Sequence, residues 1–309
     1  MARLQEQSIP ARQRAYQAKL KELERQVGRL EQEAAQRARA VMEQVRQEVM
    51  VELRNTPPER FRTFFLRELQ RSVDQKIGVL EQRLKQEIRP KIQDALEAGR
   101  LSIQEPAAIL GVSVPLIHLP QNLVDVVQGF TADLIKRISD ETRSRINADL
   151  ASSILRGDSI LDAARRIGRS LNTPATTFGT VSKRAETIAR TETLRAYSIA
   201  QAASLRQIAD YVPNLKKQWL ATLDDRVRPA HRQAHGQIRD WDEPFAVDEE
   251  ELMYPRDPGG SPENTINCRC VVVPVLPEVE EDLGSILPSG TRTPQGAEIA
   301  GALAVLSAG

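Results

Sequence analysis

The chain has 309 residues, with 43 Lys and Arg against 42 Asp and Glu, a hydrophobic share of 40% and 4% aromatics; this length suits two or three domains, and the thin apolar and aromatic content points to a protein elongated in part. No stretch of about 18 apolar residues is present, and the residues around Arg3, Gln5, Glu6 and Gln7 lack the apolar core of a signal peptide, so neither a membrane span nor a secretory leader is expected. The net charge of +1 conceals a gradient, +6 over residues 1–100, −1 over 101–120, +6 over 121–235 and −10 over 236–309, which fits either a basic part that touches a polyanion such as DNA or solvated helix faces rich in Arg and Glu.

From about residue 11 to 55, Tyr16, Leu20, Leu23, Val27, Leu30, Ala34, Val41 and Val45 recur at spacings of four and three, interrupted where Arg37 takes an apolar slot. The pattern predicts one long helix. Thr56-Pro57-Pro58 ends it, because proline removes a helix donor and drives its predecessor out of the α region. A second helix is predicted from Glu59 to Ile88, with Phe61, Phe64, Phe65, Leu69, Val73, Ile77, Leu80 and Leu84 on its apolar stripe and Pro90 after it. Residues 1–100 therefore read as a long helical hairpin or coiled-coil-like arm. Residues 101–120, punctuated by Pro106, Gly111, Pro115 and Pro120, read as an irregular linker. His118 sits alone there between Ile117 and Leu119 and is given no role.

Leu123, Val126, Val127, Phe130, Leu134, Ile138, Ile146, Leu150 and Ile154 predict a third long helix that stops near Gly157. Asp158-Ser159 then caps a short helix through Ile167, a pairing that is more often a packing unit than a DNA reader. After a polar loop at 174–180, residues Val181 to Tyr211 are helical and contain Ala189-Arg190-Thr191-Glu192-Thr193. Arg190 and Glu192 are two apart and do not face each other on a helix. Each then looks elsewhere, toward solvent or toward the C-terminal cassette that both would brace.

That cassette, residues 212–275, gathers two of the three histidines, both cysteines and both tryptophans. Lys216 to Leu223 reads as a strand, Asp224-Asp225 as a turn, and Pro229 as a first-turn residue of a short helix closed by Gly236. Gln237 to Val247 is a second extended segment, 248–251 an acidic loop, and Asn267 to Val273 a third strand rich in β-branched residues. The whole is α+β and predominantly α, with a short β-sheet in the cassette and a flexible tail over 276–309.

Cys268 and Cys270 fall on one side of their strand because successive side chains alternate, and His231 and His235, four apart, share a helical face. His231, His235, Cys268 and Cys270 could thus close a tetrahedral zinc site, although C-x-C is tighter than the usual spacing and the two pairs lie 33 residues apart. Two cysteines in this arrangement do not make a secreted disulfide framework and fit a reducing compartment. The competing assignment is polar: Asp224 and Arg228 as a turn-and-cap pair, His231 donating to a carbonyl, and Arg269 pairing with a cassette carboxylate. A catalytic pairing of Cys268 with His231 would need a substrate pocket, and nothing in the sequence marks one.

The helical A-R-T-E-T, then W-L-A-T-L-D-D-R-V-R-P-A-H-R-Q-A-H-G-Q, then a proline-rich turn and N-C-R-C-V-V-V-P resemble, in order and spacing, the head-morphogenesis family of tailed bacteriophages typified by the F protein of phage Mu. The resemblance covers roughly residues 150–275 and makes 121–275 a head-morphogenesis domain with a helical part (121–211) and the cassette. The family pattern falls on Arg190, Glu192 and Thr193, on Trp219, Asp224, Arg226, Arg228, His231 and Gly236, and on Asn267, Cys268, Arg269 and Cys270. At His235 the family often has Asp, which leaves His231, Cys268, Cys270 and one further ligand for zinc.

The resemblance implies a non-enzymatic minor head protein, made in the host cytoplasm and carried in the virion, inside the capsid at the portal vertex. Its implied partners are the portal protein and the major capsid or scaffolding protein, and its implied work is head assembly, with genome packaging or ejection. Two alternatives stay open: an internal head protein that binds packaged DNA non-specifically through its basic stretches, and a metal-dependent enzyme or toxin-like effector. No membrane partner is expected.

Overall fold

A computed structural model describes residues 9–109, 111–112 and 116–275; the tail expected over 276–309 lies outside the described residues. The protein is α+β and predominantly α. Six helices come first: α1 (Ile9–Asn55), α2 (Leu66–Ile77), α3 (Leu80–Ile109), α4 (Gln121–Leu155), α5 (Ile160–Ile167) and α6 (Thr177–Ala209). They are followed by β1 (Lys216–Leu220), α7 (Pro229–Ala234), β2 (Ile238–Asp240), β3 (Phe245–Val247), β4 (Glu250–Leu252), α8 (Pro262–Thr265) and β5 (Val271–Val275). The described residues fall into two compact units, one drawn from those within 9–29, 94–126 and 194–275, the other from Leu30–Gln93 and Val127–Thr193.

The second unit is helical. Ion pairs Glu33–Lys91, Arg37–Glu87 and Glu48–Arg83 descend along α3 as they ascend along α1, so these helices run antiparallel. Glu141–Arg184 and the Thr177 hydroxyl donating to Asp149 do the same for α4 and α6. The core lies between: Val41, Met42, Val45, Val49 and Leu53 of α1, Leu69, Val73 and Ile77 of α2, Leu80, Leu84 and Ile88 of α3, and Ile138, Ile146 and Leu150 of α4 are all buried. Where the heptad placed Arg37, the structure buries Ala38 instead and leaves Arg37 at the surface on Glu87. At 3.6 residues per turn a strict 3.5 repeat drifts, and one step of four in place of three restores the stripe.

Three expectations for the helices are corrected. Residues 58–65 form two short 3-10 turns, Pro58–Arg60 and Thr63–Phe65, in place of a helix start; Pro57 is extended, as a residue before proline prefers, and Phe64 is 88% exposed. Pro90 and Pro106 lie inside α3, and 101–109 is helix, not linker. A proline there costs about 3 kcal/mol, but each large side chain of the buried row is worth about 1.5–3 kcal/mol, and the row continues through Ile92, Leu96 and Ile103. On α4, Val126 and Phe130 are exposed while Thr131, Ser139 and Thr142 are buried. Their hydroxyls donate to the carbonyls of Val127, Ile135 and Ile138, which removes the penalty of burying a polar group in a helix.

In the first unit a three-stranded antiparallel sheet has the order β2-β1-β5, with Trp219 opposite Val272 and Gln218 opposite Val273. A separate hairpin pairs β3 with β4, Val247 opposite Glu250. The acidic loop expected at 248–251 is thus half strand: Asp248 and Glu249 turn while Glu250 and Glu251 belong to β4, and Asp248 takes the positive φ of 60° that a two-residue hairpin loop requires. Trp219, Phe245, Val247, Leu252 and Val272 form one core with Leu205, Ile208, Ile103 and Tyr16.

β5 is an edge strand, yet all five of its residues are buried. Its inner side pairs with β1, and its outer side is closed by side chains. The Gln201 amide donates to the Val272 carbonyl (2.7 Å) and accepts from the Val272 N–H (3.4 Å); the Tyr16 hydroxyl donates to the Pro274 carbonyl (2.8 Å). Pro274 has no N–H to satisfy, which suits it to an edge.

Replacing Gln201 with Met leaves both polar groups of Val272 buried and unpaired, and each such group costs about 1–3 kcal/mol. Denaturant titration should therefore show a larger loss for Gln201→Met than for Tyr16→Phe, which orphans one acceptor. A Cβ on Gly99 would lie 2.2 Å from the Tyr197 carbonyl oxygen and 2.9 Å from the Ala200 Cβ, where α3 meets α6. Gly99→Ala would gain about 1 kcal/mol of helix propensity, but the close backbone approach should reverse the sign and leave a net loss of about 1–3 kcal/mol, measured the same way.

Candidate functional site

The site is assembled around β1. Trp219 is fully buried, with its ring edge-on to His231 (5.8 Å between centroids) and to Phe245 (5.3 Å). Arg228 precedes the short α7 and Pro229 opens it. Gly236 follows with φ 85°, which lets its N–H donate to the Trp219 carbonyl at 2.8 Å while the Trp219 N–H donates to Gln237 at 3.0 Å. These bonds fix the end of α7 to β1.

His231 points inward and is 2% exposed. Its Nδ1 lies 3.5 Å from the Cys268 sulfur and 3.3 Å from that of Cys270; both cysteines are free and buried. His235, grouped with these three by spacing, is turned away: its Nδ1 accepts from the Ala221 N–H at 3.1 Å, and burial pulls the ring below the ordinary histidine range. Helical spacing does not carry through to His235, because α7 ends at Ala234 and His235 leaves helical geometry with ψ 128°. The groups able to share an ion among the described residues reduce to His231, Cys268 and Cys270, whose ligand atoms lie within 4.8 Å of one another.

Cys268 and Cys270 stand before β5, in an extended segment entered through Asn267 with φ 55°, a left-handed conformation that Asn tolerates well. The alternation still sends the intervening Arg269 the other way. Burial by itself would raise the Cys268 thiol, but bonds to Cys270 and His231 and the Arg256 guanidinium carry it well below its ordinary value. Cys270, bonded to that sulfur and buried, is pushed well above. The indole N–H of Trp219 has no nitrogen or oxygen partner and favours the charged form of Cys270.

On the opposite side of the segment, Arg269 makes a two-pronged pair with Asp224 (2.6 and 2.7 Å), and the Arg226 N–H donates to the same carboxylate at 3.0 Å. Hydrogen bonding to Arg269 holds the Asp224 carboxyl far below the usual carboxylate range. Arg228 does not pair with Asp224; it donates to the Ile266 carbonyl at 2.5 Å. His231 meets sulfur, not a carbonyl, and its Nε2 has no hydrogen-bond partner. Arg190 belongs to the other unit, where its guanidinium lies 3.9 Å from Glu31 and from Glu186. Glu192 and Thr193 are buried on α6.

Several residues that shape the site were missed. Arg256, in the Y-P-R-D-P turn, is wholly buried with φ 66° and donates to the Cys268 carbonyl (2.6 Å) and to the Ser198 hydroxyl. Arg195 donates to the Arg256 carbonyl at 3.2 Å. Lys217 is buried, donates to the Met253 carbonyl (2.8 Å) and lies over the Phe245 ring at 5.0 Å; burial lowers its ammonium to about 8. The signal available was position: Ser198 and Gln201 lie one and two turns beyond the A-R-T-E-T block. Two surface cavities, of about 500 and 250 Å³, are lined by Gln44, Glu48 and Lys76 and by Glu97, Arg100 and His118, not by cassette residues.

Asp224 has a folded-state pKa below its unfolded value, so its contribution to stability is present above about pH 4 and fades as pH falls toward the folded value. Asp224→Asn should lower the melting temperature at neutral pH, and the gap from the unaltered protein should close as pH falls below about 4. A gap independent of pH would remove the assignment.

Residues 144–273 match the family described as Phage Mu protein F like protein. An NAD(+)–arginine ADP-ribosyltransferase of Enterococcus faecalis is 28% identical over 183 residues, covering 58% of this chain and 36% of that protein. The minor head protein GP7 of Bacillus phage SPP1 is 28% identical over 174 residues, 54% of this chain and 52% of that one. An uncharacterized protein of Haemophilus influenzae is 30% identical over 164 residues, 52% and 32% of the two chains. The chain thus spans about a third to a half of the length of these relatives, and no solved structure matches it. Residues 144–273, which carry the A-R-T-E-T helix and the cassette, are the part of the chain that is similar to the Phage Mu protein F like family.

Proposed function

We propose that this chain is a minor head protein of a tailed bacteriophage, acting in head morphogenesis from inside the capsid at the portal vertex. The observation that carries this reading is the family match over 144–273 together with the similarity to a phage minor head protein. The cassette geometry supports a structural part. Its polar motif side chains are engaged within the chain: Arg269 on Asp224 and Arg228 on the Ile266 carbonyl, while Gln201 of α6 completes β5. The partners proposed are the portal protein and the capsid or scaffolding protein, with packaging or ejection as the step served. Contact with packaged DNA is the alternative for the basic stretches, and binding of that kind weakens steeply with salt.

The similarity to an arginine ADP-ribosyltransferase raises a second reading, in which this chain transfers ADP-ribose. Mass spectrometry of purified procapsids and virions, with portal pull-down, should find the protein in heads and bound to portal; absence from both particles sinks the head reading. Incubation of the purified protein with labelled NAD(+) and an arginine acceptor should transfer no label. Transfer would establish the enzymatic reading instead.

A further inference from the structure

The group formed by His231, Cys268 and Cys270 has a geometry that a hydrogen-bond network does not require. Zinc holds thiolate sulfur at about 2.3 Å and imidazole nitrogen at about 2.0 Å, so a tetrahedral ion sets sulfur and nitrogen about 3.5 Å apart. The two distances here are 3.5 and 3.3 Å. A single S–H···N bond could give one such distance, but one ring nitrogen has one lone pair or one proton, and both sulfurs converge on it. All three side chains are buried, and they come from two elements whose backbones are fixed independently: α7 by Pro229 and Gly236, the 267–270 segment by Asn267 and by the Arg256 bond to the Cys268 carbonyl.

The second observation is charge. Arg256 is wholly buried, and its described partners are a carbonyl and a hydroxyl, with its Nε unpaired. A buried guanidinium needs an anion nearby, and the carbonyl that Arg256 binds belongs to Cys268, one of the two buried cysteines. Two thiolates beside a neutral imidazole would balance a divalent ion, and Arg256, through its bond to the Cys268 carbonyl, would hold the ligand segment in place.

We propose that His231 Nδ1, Cys268 Sγ and Cys270 Sγ bind one zinc ion, with His235 outside the site. Binding releases the thiol protons to solvent and changes no oxidation state. The ion ties α7 to the segment leading into β5 and so staples the cassette.

The 309-residue protein purified without chelator should carry about one zinc per chain by elemental analysis. Loading the apo protein with Co(2+) should produce a thiolate-to-cobalt charge-transfer band and the strong visible bands of a tetrahedral site, and X-ray absorption on the zinc form should count two sulfurs. Cys268→Ser, Cys270→Ser and His231→Asn should lose the metal, whereas His235→Ala should keep it. Chelation should lower the melting temperature by roughly 5 °C or more. A folded, unaltered protein that binds neither zinc nor cobalt, or a cobalt spectrum without thiolate charge transfer, overturns the proposal; so does loss of metal in His235→Ala with the other three unaffected. Where a variant fails to fold, the cobalt spectrum of the unaltered chain decides.

Discussion

A buried edge strand must find partners for every backbone group it turns away from its sheet, and in this protein that requirement falls on β5. Its outer side is completed by a glutamine 71 positions earlier and a tyrosine 258 positions earlier. The side-chain amide of Gln201 does what a neighbouring strand would do, donating once and accepting once. Residues 271, 273 and 275 turn to β1, while 272 and 274 turn outward, so the two outward positions are the ones served by Gln201 and Tyr16. The cassette is therefore not a free-standing sheet. Its edge is finished by helices, and Gln201 extends this to α3 by donating to the Ser102 hydroxyl as well.

Given that anchored strand, the chain leading into it has little freedom. The alternation of Cys268, Arg269 and Cys270 splits two tasks between the faces of one short segment. The cysteines face His231 and the buried Arg256; Arg269 faces Asp224 and closes the 224–226 turn. Each half holds the other in register, since a one-residue slip would exchange the faces. That coupling explains why Asp, Arg, His and Cys occur together in a cassette whose motif side chains are largely engaged with one another.

Much of the architecture was legible. Apolar spacing located α1, α4 and α6, and Ser159 caps α5 with its side chain as the sequence pattern implied. Strand β1 and the short α7 could be read from Pro229, Gly236 and the residues around Trp219. What was not legible had physical causes. Buried Thr131 and Thr142 look polar in sequence but satisfy themselves on the helix backbone. Pro90 and Pro106 look like breaks, yet the buried row of α3 outweighs them. Phe64 looks like core, but the prolines before it hold the chain out of the helix that would have buried it.

Local rules of spacing, alternation and capping determined from the sequence which segments are helix or strand and that Cys268 and Cys270 share a side, and the motif blocks marked the resemblance to the Phage Mu protein F like family. Tertiary structure alone decided that His231 joins those cysteines and His235 does not, that Arg228 binds a carbonyl and Arg269 the carboxylate, and that Arg256, Ser198 and Gln201 belong to the site. Periodicity reports which way a side chain leaves its own element. Whether two elements then meet depends on the termini, turns and edges between them, and those are settled by backbone groups that must find partners once water is excluded.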